Sequence, residues 1–341
     1  MTDIGGAELA DAADILVRTA LRVTRRERFV VVGDAATSSI LIALERAGRA
    51  AGAEVASLYL DELRSFSTNH SGERPHKVLP DGVRRAMLSA QASVFVASAP
   101  HAEASMRQQL EHVVGACKIR HAHLPGITPA NFVEGLGVDH ATIQESATAL
   151  VRIVEDGADI TCTSADGTNL VVRPGTRRWL ARVGHVAPGE SVTFPTGSIC
   201  ITPEDVRGSF AATACVGRLG PPDRVLEAPI VFEIDGGIVT AVHSSGNPEL
   251  VRDVNSILSV AANSERVGLV VLGVNTGALN ATGAVEVDQH RPGLHLVIGD
   301  PLSRLSGAGW SARTSFAACQ TTSEVHVGGR LLAAEGRLLL P

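Results

Sequence analysis

Aromatic side chains are scarce in this sequence. Phe, Tyr and Trp together make up 3 % of the 341 residues. The core must therefore be built from Ala, Val, Leu and Ile, and a hydrophobic content of 45 % supplies them. Cysteine is sparse too. Cys117, Cys162, Cys200, Cys215 and Cys319 are odd in number, scattered, and form no CxxC. That pattern argues against a disulfide framework or a cysteine zinc site, and leaves five small buried hydrophobes in a reducing compartment. No window reaches the ~18–20 apolar residues needed to span a bilayer. The opening stretch MTDIGGAELADAADILVR carries acidic residues and no long apolar run, so it does not read as a secretory signal. Basic blocks are missing as well. The net charge is −6 and the pI is about 6.1. The pairs Arg25-Arg26, Arg84-Arg85 and Arg177-Arg178 read as solvated faces or salt bridges. The expectation is a cytoplasmic protein whose partner is neither nucleic acid nor membrane.

What is present is alternation. Residues 7–23 have helical apolar spacing, and residues 29–34 form a short apolar run ending in a turn, like a buried parallel strand. A helix at 38–52, a strand at 54–60, a polar loop at 63–80 and a helix at 81–90 follow. A strand at 92–99, a helix at 102–116 and a strand at 118–124 complete the series. Such alternation predicts an open parallel sheet flanked by helices. The turn after the first strand, Gly33 to Ser38, contains neither GxGxxG nor GxxxxGK[ST], so a phosphate-cradling role lacks support. Asp34 there reads as a helix N-cap or, less ordinarily, as a residue lining a crevice. His121 and His123 share a strand face, but without a third ligand nearby they read as surface or loop-packing histidines rather than a metal site.

The pattern changes after a helix at 142–156. Short β-like runs separated by Gly and Pro take over, among them 159–164, 169–173, 191–195, 198–202 and 210–216. Runs 230–234 and 238–242 flank Asp235-Gly236-Gly237 and predict a hairpin. Asn247 and Pro248 open one helix in this region. Strands return at 267–271, 293–298, 324–327 and 337–340. The chain is read as an α/β domain at 1–157 followed by a β-rich α+β domain at 158–341, mainly antiparallel.

Several stretches of the second half resemble the aminopeptidase T-like metalloenzyme superfamily. They are Ala165-Asp166-Gly167-Thr168-Asn169-Leu170, Phe194-Pro195-Thr196-Gly197-Ser198-Ile199, the hairpin 232–239, Gly293-Leu294-His295-Leu296-Val297-Ile298-Gly299-Asp300, and Thr322-Ser323-Glu324-Val325-His326. Their order and spacing match over about residues 159–330. In length the chain is closer to the 2,5-dihydroxypyridine 5,6-dioxygenase-like members than to the longer peptidases. The resemblance implies a homodimer and a small-molecule substrate.

The resemblance also implies a metal site, and here the sequence departs from it. The peptidases hold two metals with two glutamates, two histidines and an aspartate. The histidines fall on His295 and His326, but the carboxylate positions fall on Ser198, Leu269 and Gly328. Two divalent cations without bridging anions repel each other, so a two-metal centre is disfavoured. The dioxygenases use one iron with two histidines and one carboxylate, a triad that leaves positions open for substrate and oxygen. By this analogy His295 and His326 are the metal ligands, and Asp300 or Glu324 supplies or orients the third. Ser198 and Asn275 would line the pocket. Iron(II) is the cofactor expected first, with zinc or no metal as alternatives. Three readings stand: an iron ring-cleaving enzyme, a zinc-dependent or metal-free hydrolase or lyase, and a catalytically silent ligand-binding descendant. In the metal-free case Ser198 is the candidate nucleophile and requires a base within hydrogen-bond reach, although no GxSxG surrounds it. A pocket between the two halves is expected.

Overall fold

A computed structural model of the chain describes residues 5–65, 78–97, 100–217, 219–220 and 224–340. The chain divides into two compact units. The first comprises residues 1–140 and 184–195, and the second residues 141–183 and 196–341. The chain thus passes from the first unit to the second, returns for one short segment, and then completes the second.

In chain order, the first unit forms β1 (Arg28–Gly33), β2 (Glu54–Tyr59), β3 (Ala92–Ala97) and β4 (Arg120–Pro125). The second unit begins with β5 (Ile160–Thr163), β6 (Asn169–Arg173) and β7 (Leu180–Arg182). β8 (Ser191–Thr193) lies in the returning segment and pairs parallel with β4, His121 opposite Ser191. The first sheet therefore has the order β2-β1-β3-β4-β8 and is parallel throughout.

The apolar run of β1 has a direct reason. Phe29 and Val31 enter one buried cluster with Ile40, Leu41 and Leu44 of the helix Ser38–Ala50. Val30 and Val32 enter another with Val83, Met87 and Leu110. Helices cover both faces, so alternation disappears and the strand reads as continuously hydrophobic. At the strand's end, Asp34 Oδ1 accepts the Thr37 N–H at 3.0 Å, the N-cap role expected of it. His121 and His123 are not at the surface. Both are buried in β4, with His121 Nδ1 2.8 Å from Ser93 Oγ and His123 stacked on Phe95 at 5.1 Å. Burial, then His123 and Arg107, hold the His121 pKa well below its ordinary value. Residues 63–65 continue the helix Leu60–Ser65, where a loop was expected. The expected loop residues 66–77 lie outside the described residues.

The second unit continues with β9 (Ser198–Ile201), β10 (Asp205–Ala212), β11 (Cys215–Val216), β12 (Ile230–Asp235) and β13 (Ile238–His243). Then come β14 (Val267–Gly273), β15 (Gly293–Gly299), β16 (Ser315–Cys319), β17 (Glu324–Val327), β18 (Arg330–Ala334) and β19 (Arg337–Leu338). One sheet has the order β13-β12-β10-β6-β5-β17-β18-β19, the other β11-β16-β15-β14-β9-β7. The described ladders of both are antiparallel. The predicted glycine hairpin is present as β12–β13. The helix Pro248–Leu258 starts where predicted, but Asn247 makes no side-chain cap bond to it. Its Nδ2 donates instead to the Ala228 carbonyl at 2.8 Å. Among the described residues no helix is long and apolar enough to cross a membrane.

Strand alternation defines which side chains share a space in this unit. A narrow gap is lined by the side chain of Leu272 from one sheet and by those of Val325 and Leu332 from the other. These residues face the layer between the sheets. On β14 and β15, Val271 and His295 pair across the ladder and lie on the opposite face from Leu272. On β17, Glu324 and His326 lie on the opposite face from Val325.

Candidate functional site

The predicted metal ligands follow from that alternation. His295 is buried, on the face of its sheet that points away from the intersheet layer, beside Val271, Val297 and Cys319. His326 is half-buried on the outward face of the other sheet, between Thr161 and Leu331. Both side chains project away from the shared layer, so the fold does not converge them on one ion.

The His295 ring is also fully engaged. Nε2 lies 3.0 Å from the Arg291 carbonyl oxygen, which can only accept, so Nε2 carries the proton. Nδ1 accepts the Gln320 backbone N–H at 3.4 Å. Burial lowers its pKa to about 4, against a smaller upward pull from the Arg291 carbonyl. His295 is thus a neutral imidazole with its lone pair directed at a backbone amide. A metal needs that lone pair, and the ring as placed does not offer it.

The proposed third ligands do not repair the site. Asp300 follows the end of β15, five residues beyond His295 and about 16 Å away along an extended chain. Glu324 is exposed on the His326 face and lines a surface groove of about 430 Å³ with Ser164, Thr322 and Glu335. Among the described residues no group of three or more His, Cys, Asp or Glu side chains is placed to hold a metal ion. The residues present do not fit an iron or zinc centre built on His295 and His326.

Ser198 has a different neighbour. Its Oγ lies 3.0 Å from Nδ1 of His290, and both residues are buried. Burial, then the Arg182 charge and His295, hold the His290 pKa well below its ordinary value, so the imidazole is neutral at neutral pH. A neutral imidazole can accept the hydroxyl proton at Nδ1.

The backbone around this pair is tightly held. Gly197 adopts φ +125°, and a Cβ there would come within 2.7 Å of Asn275 Cβ. Asn275 Nδ2 donates to the Thr196 carbonyl at 2.9 Å, and its backbone N–H donates to the His290 carbonyl at 2.9 Å. Asn275, expected to line the pocket, thus binds the Ser198 turn to the His290 segment. Asp288 is committed to its own loop, accepting from Thr282 N and Gly283 N, each at 2.8 Å. Burial raises its pKa although these bonds oppose the rise. Arg291 donates to the carbonyls of Ala278, Leu279 and Thr321. The sequence contains both Ser198 and His290, but nothing in a separation of 92 residues marks them as partners.

No protein-family model matches the sequence, and no curated protein matches it. Solved structures do. Over 99 % of this chain and 99 % of the other, it is similar to 2,5-dihydroxypyridine dioxygenase from Pseudomonas putida KT2440, with a TM-score of 0.64 and 13 % identity. Over 98 % of this chain and 99 % of the other, it is similar to wild-type AmpT from Thermus thermophilus, with a TM-score of 0.69 and 15 % identity. Coverage of this extent, reached independently with two proteins that match the resemblance read from the sequence, shows that the chain has their fold along nearly its whole length.

Proposed function

We propose that this protein is a small-molecule enzyme of the hydrolase or lyase type that works without a metal on His295 and His326, using Ser198 and His290 as its reactive pair. The 3.0 Å contact between the Ser198 hydroxyl and a neutral His290 nitrogen carries this reading. It supplies the base that a serine nucleophile requires, within the usual 2.6–3.2 Å reach. The likeness to a dioxygenase supports an enzyme on this scaffold.

In the hydrolytic form, Ser198 Oγ attacks an electrophilic carbon as His290 Nδ1 takes the hydroxyl proton. The imidazolium then returns that proton to the leaving group, and water releases the product by the reverse path. Ser198 is fully enclosed in this structure, so substrate entry requires the segment around it to open. A small-molecule substrate and a homodimer belong to the same reading.

The likeness to the dioxygenase also favours a second reading, an iron(II) enzyme. That reading requires His295 to give up its Nδ1 bond to the Gln320 amide, while the Nε2–H bond to the Arg291 carbonyl can stay.

A fluorophosphonate probe tests the proposal. Peptide mapping is expected to find the probe on Ser198, with labelling lost in Ser198→Ala and at least tenfold slower in His290→Ala. Absence of the probe from Ser198 in the unaltered, folded protein overturns the serine mechanism. Labelling unaffected by His290→Ala removes His290 from its role.

A further inference from the structure

Two cysteines that are far apart in sequence face each other at the edge of the six-stranded sheet. Cys215 on β11 and Cys319 on β16 are direct cross-strand partners. Directly opposed residues of an antiparallel pair have Cα atoms about 4.5–5.5 Å apart, within the roughly 4.4–6.8 Å that a disulfide spans. Backbone bonds on both sides fix the register. Thr213 N and Ala214 N both donate to the Cys319 carbonyl, at 3.1 and 2.9 Å, and Gly217 N donates to the Ala317 carbonyl at 2.6 Å. No other thiol competes. Cys200 sits on β9, separated from β16 by β15 and β14. Cys162 receives the Gln320 side-chain amide at 3.2 Å in the other sheet, and Cys117 belongs to the first unit.

We propose that Cys215 and Cys319 are a latent disulfide site, closed by a hydroperoxide oxidant. Cys215 is the thiol that reacts first, because it lies on the edge strand and retains 4 % exposure while Cys319 has none. Its sulfur attacks the peroxide O–O bond and becomes a sulfenic acid, releasing one water from hydrogen peroxide. The Cys319 sulfur then displaces hydroxide from that sulfenic sulfur, forming the S–S bond, and the Cys319 proton leaves with the hydroxide as a second water. The two thiols together lose two electrons, and the peroxide gains them. The Cys319 thiol, burial and the carboxylates of Asp288 and Glu286 all push the Cys215 thiol up. The thiolate is therefore scarce, and closure is a slow response to sustained oxidation rather than a rapid sensor.

Peptide mapping of the native protein after hydrogen peroxide treatment, with free thiols alkylated in denaturant, tests this. The expected product has lost the mass of two hydrogens. It contains one cross-linked peptide joining Cys215 to Cys319, and Cys117, Cys162 and Cys200 remain open to alkylation. Cys215→Ser removes the cross-link. Any of three results overturns the proposal: alkylation of all five cysteines after exhaustive treatment, pairing of either residue with a different cysteine, or over-oxidation of Cys215 with Cys319 left free. The mapping of the unaltered protein stands even where the variant folds poorly.

Discussion

His295 is buried in β15 of the second unit. Its position in the Gly293–Asp300 stretch reads as a metal ligand, yet both ring nitrogens bond to backbone groups. Those bonds give a pH dependence. With a folded pKa near 4 and an unfolded value near 6.5, the ring binds fewer protons when folded. Its contribution to stability is therefore complete above pH 6.5 and is lost as pH falls towards 4. At pH 5 the loss from His295 is about 2 kcal/mol. His140, also held near 4 by burial, adds to it. Urea denaturation at pH 7 and pH 5 checks this, and His295→Gln is expected to reduce the difference between the two midpoints. Ser198→Ala leaves a buried imidazole nitrogen without its partner and is expected to cost about 1–3 kcal/mol. A stability change within about 0.5 kcal/mol would mean that the Ser198–His290 bond is not formed in solution.

Elements, rather than single residues, set the spacing of this pair. The turn ending at Gly197 delivers Ser198 to the start of β9, and Asn275 holds that turn against the segment carrying His290. Gly197→Ala places a methyl group 2.7 Å from Asn275 Cβ on a backbone with φ +125°. It is expected to destabilise the protein by about 2 kcal/mol or more. It should also slow fluorophosphonate labelling of Ser198 beyond what partial unfolding explains, which labelling of the fraction that remains folded measures. Labelling of that fraction at the unaltered rate would show that the turn does not position the hydroxyl.

The same scale explains what the sequence revealed. β1 and β3 were legible because both faces are buried and the runs are apolar, and the β12–β13 hairpin because two glycines turn it. β16 and β18 were missed for a physical reason. Ser315-Phe316-Ala317-Ala318-Cys319 and Arg330-Leu331-Leu332-Ala333-Ala334 are rich in Ala and Leu, which favour helices, and their ladders override that preference. The candidate site was half legible. Ser198 stands out as a replacement for an expected glutamate, whereas no motif marks His290. Its pairing with Ser198 depends on a loop that local pattern does not encode.

At the scale of the whole molecule, the chain has the fold of a solved dioxygenase structure along nearly its whole length. The ligand positions that the resemblance implies are filled by a hydroxyl, a leucine and a glycine, at Ser198, Leu269 and Gly328, and the two histidines face apart. Among the described residues no group is placed to hold such an ion, so the folded chain gains no preference for it there over the unfolded chain. Adding iron or zinc is therefore expected to leave the thermal midpoint unchanged, whereas tight binding to the native state would raise it. Differential scanning calorimetry with and without each metal checks this.

Elemental analysis tests the central claim most directly. The purified protein is incubated anaerobically with iron(II) or zinc, desalted, and compared with a His295→Ala/His326→Ala variant. The account predicts no metal above the buffer background in either protein. One metal per chain in the unaltered protein, absent from the variant, would contradict it and restore the metalloenzyme reading.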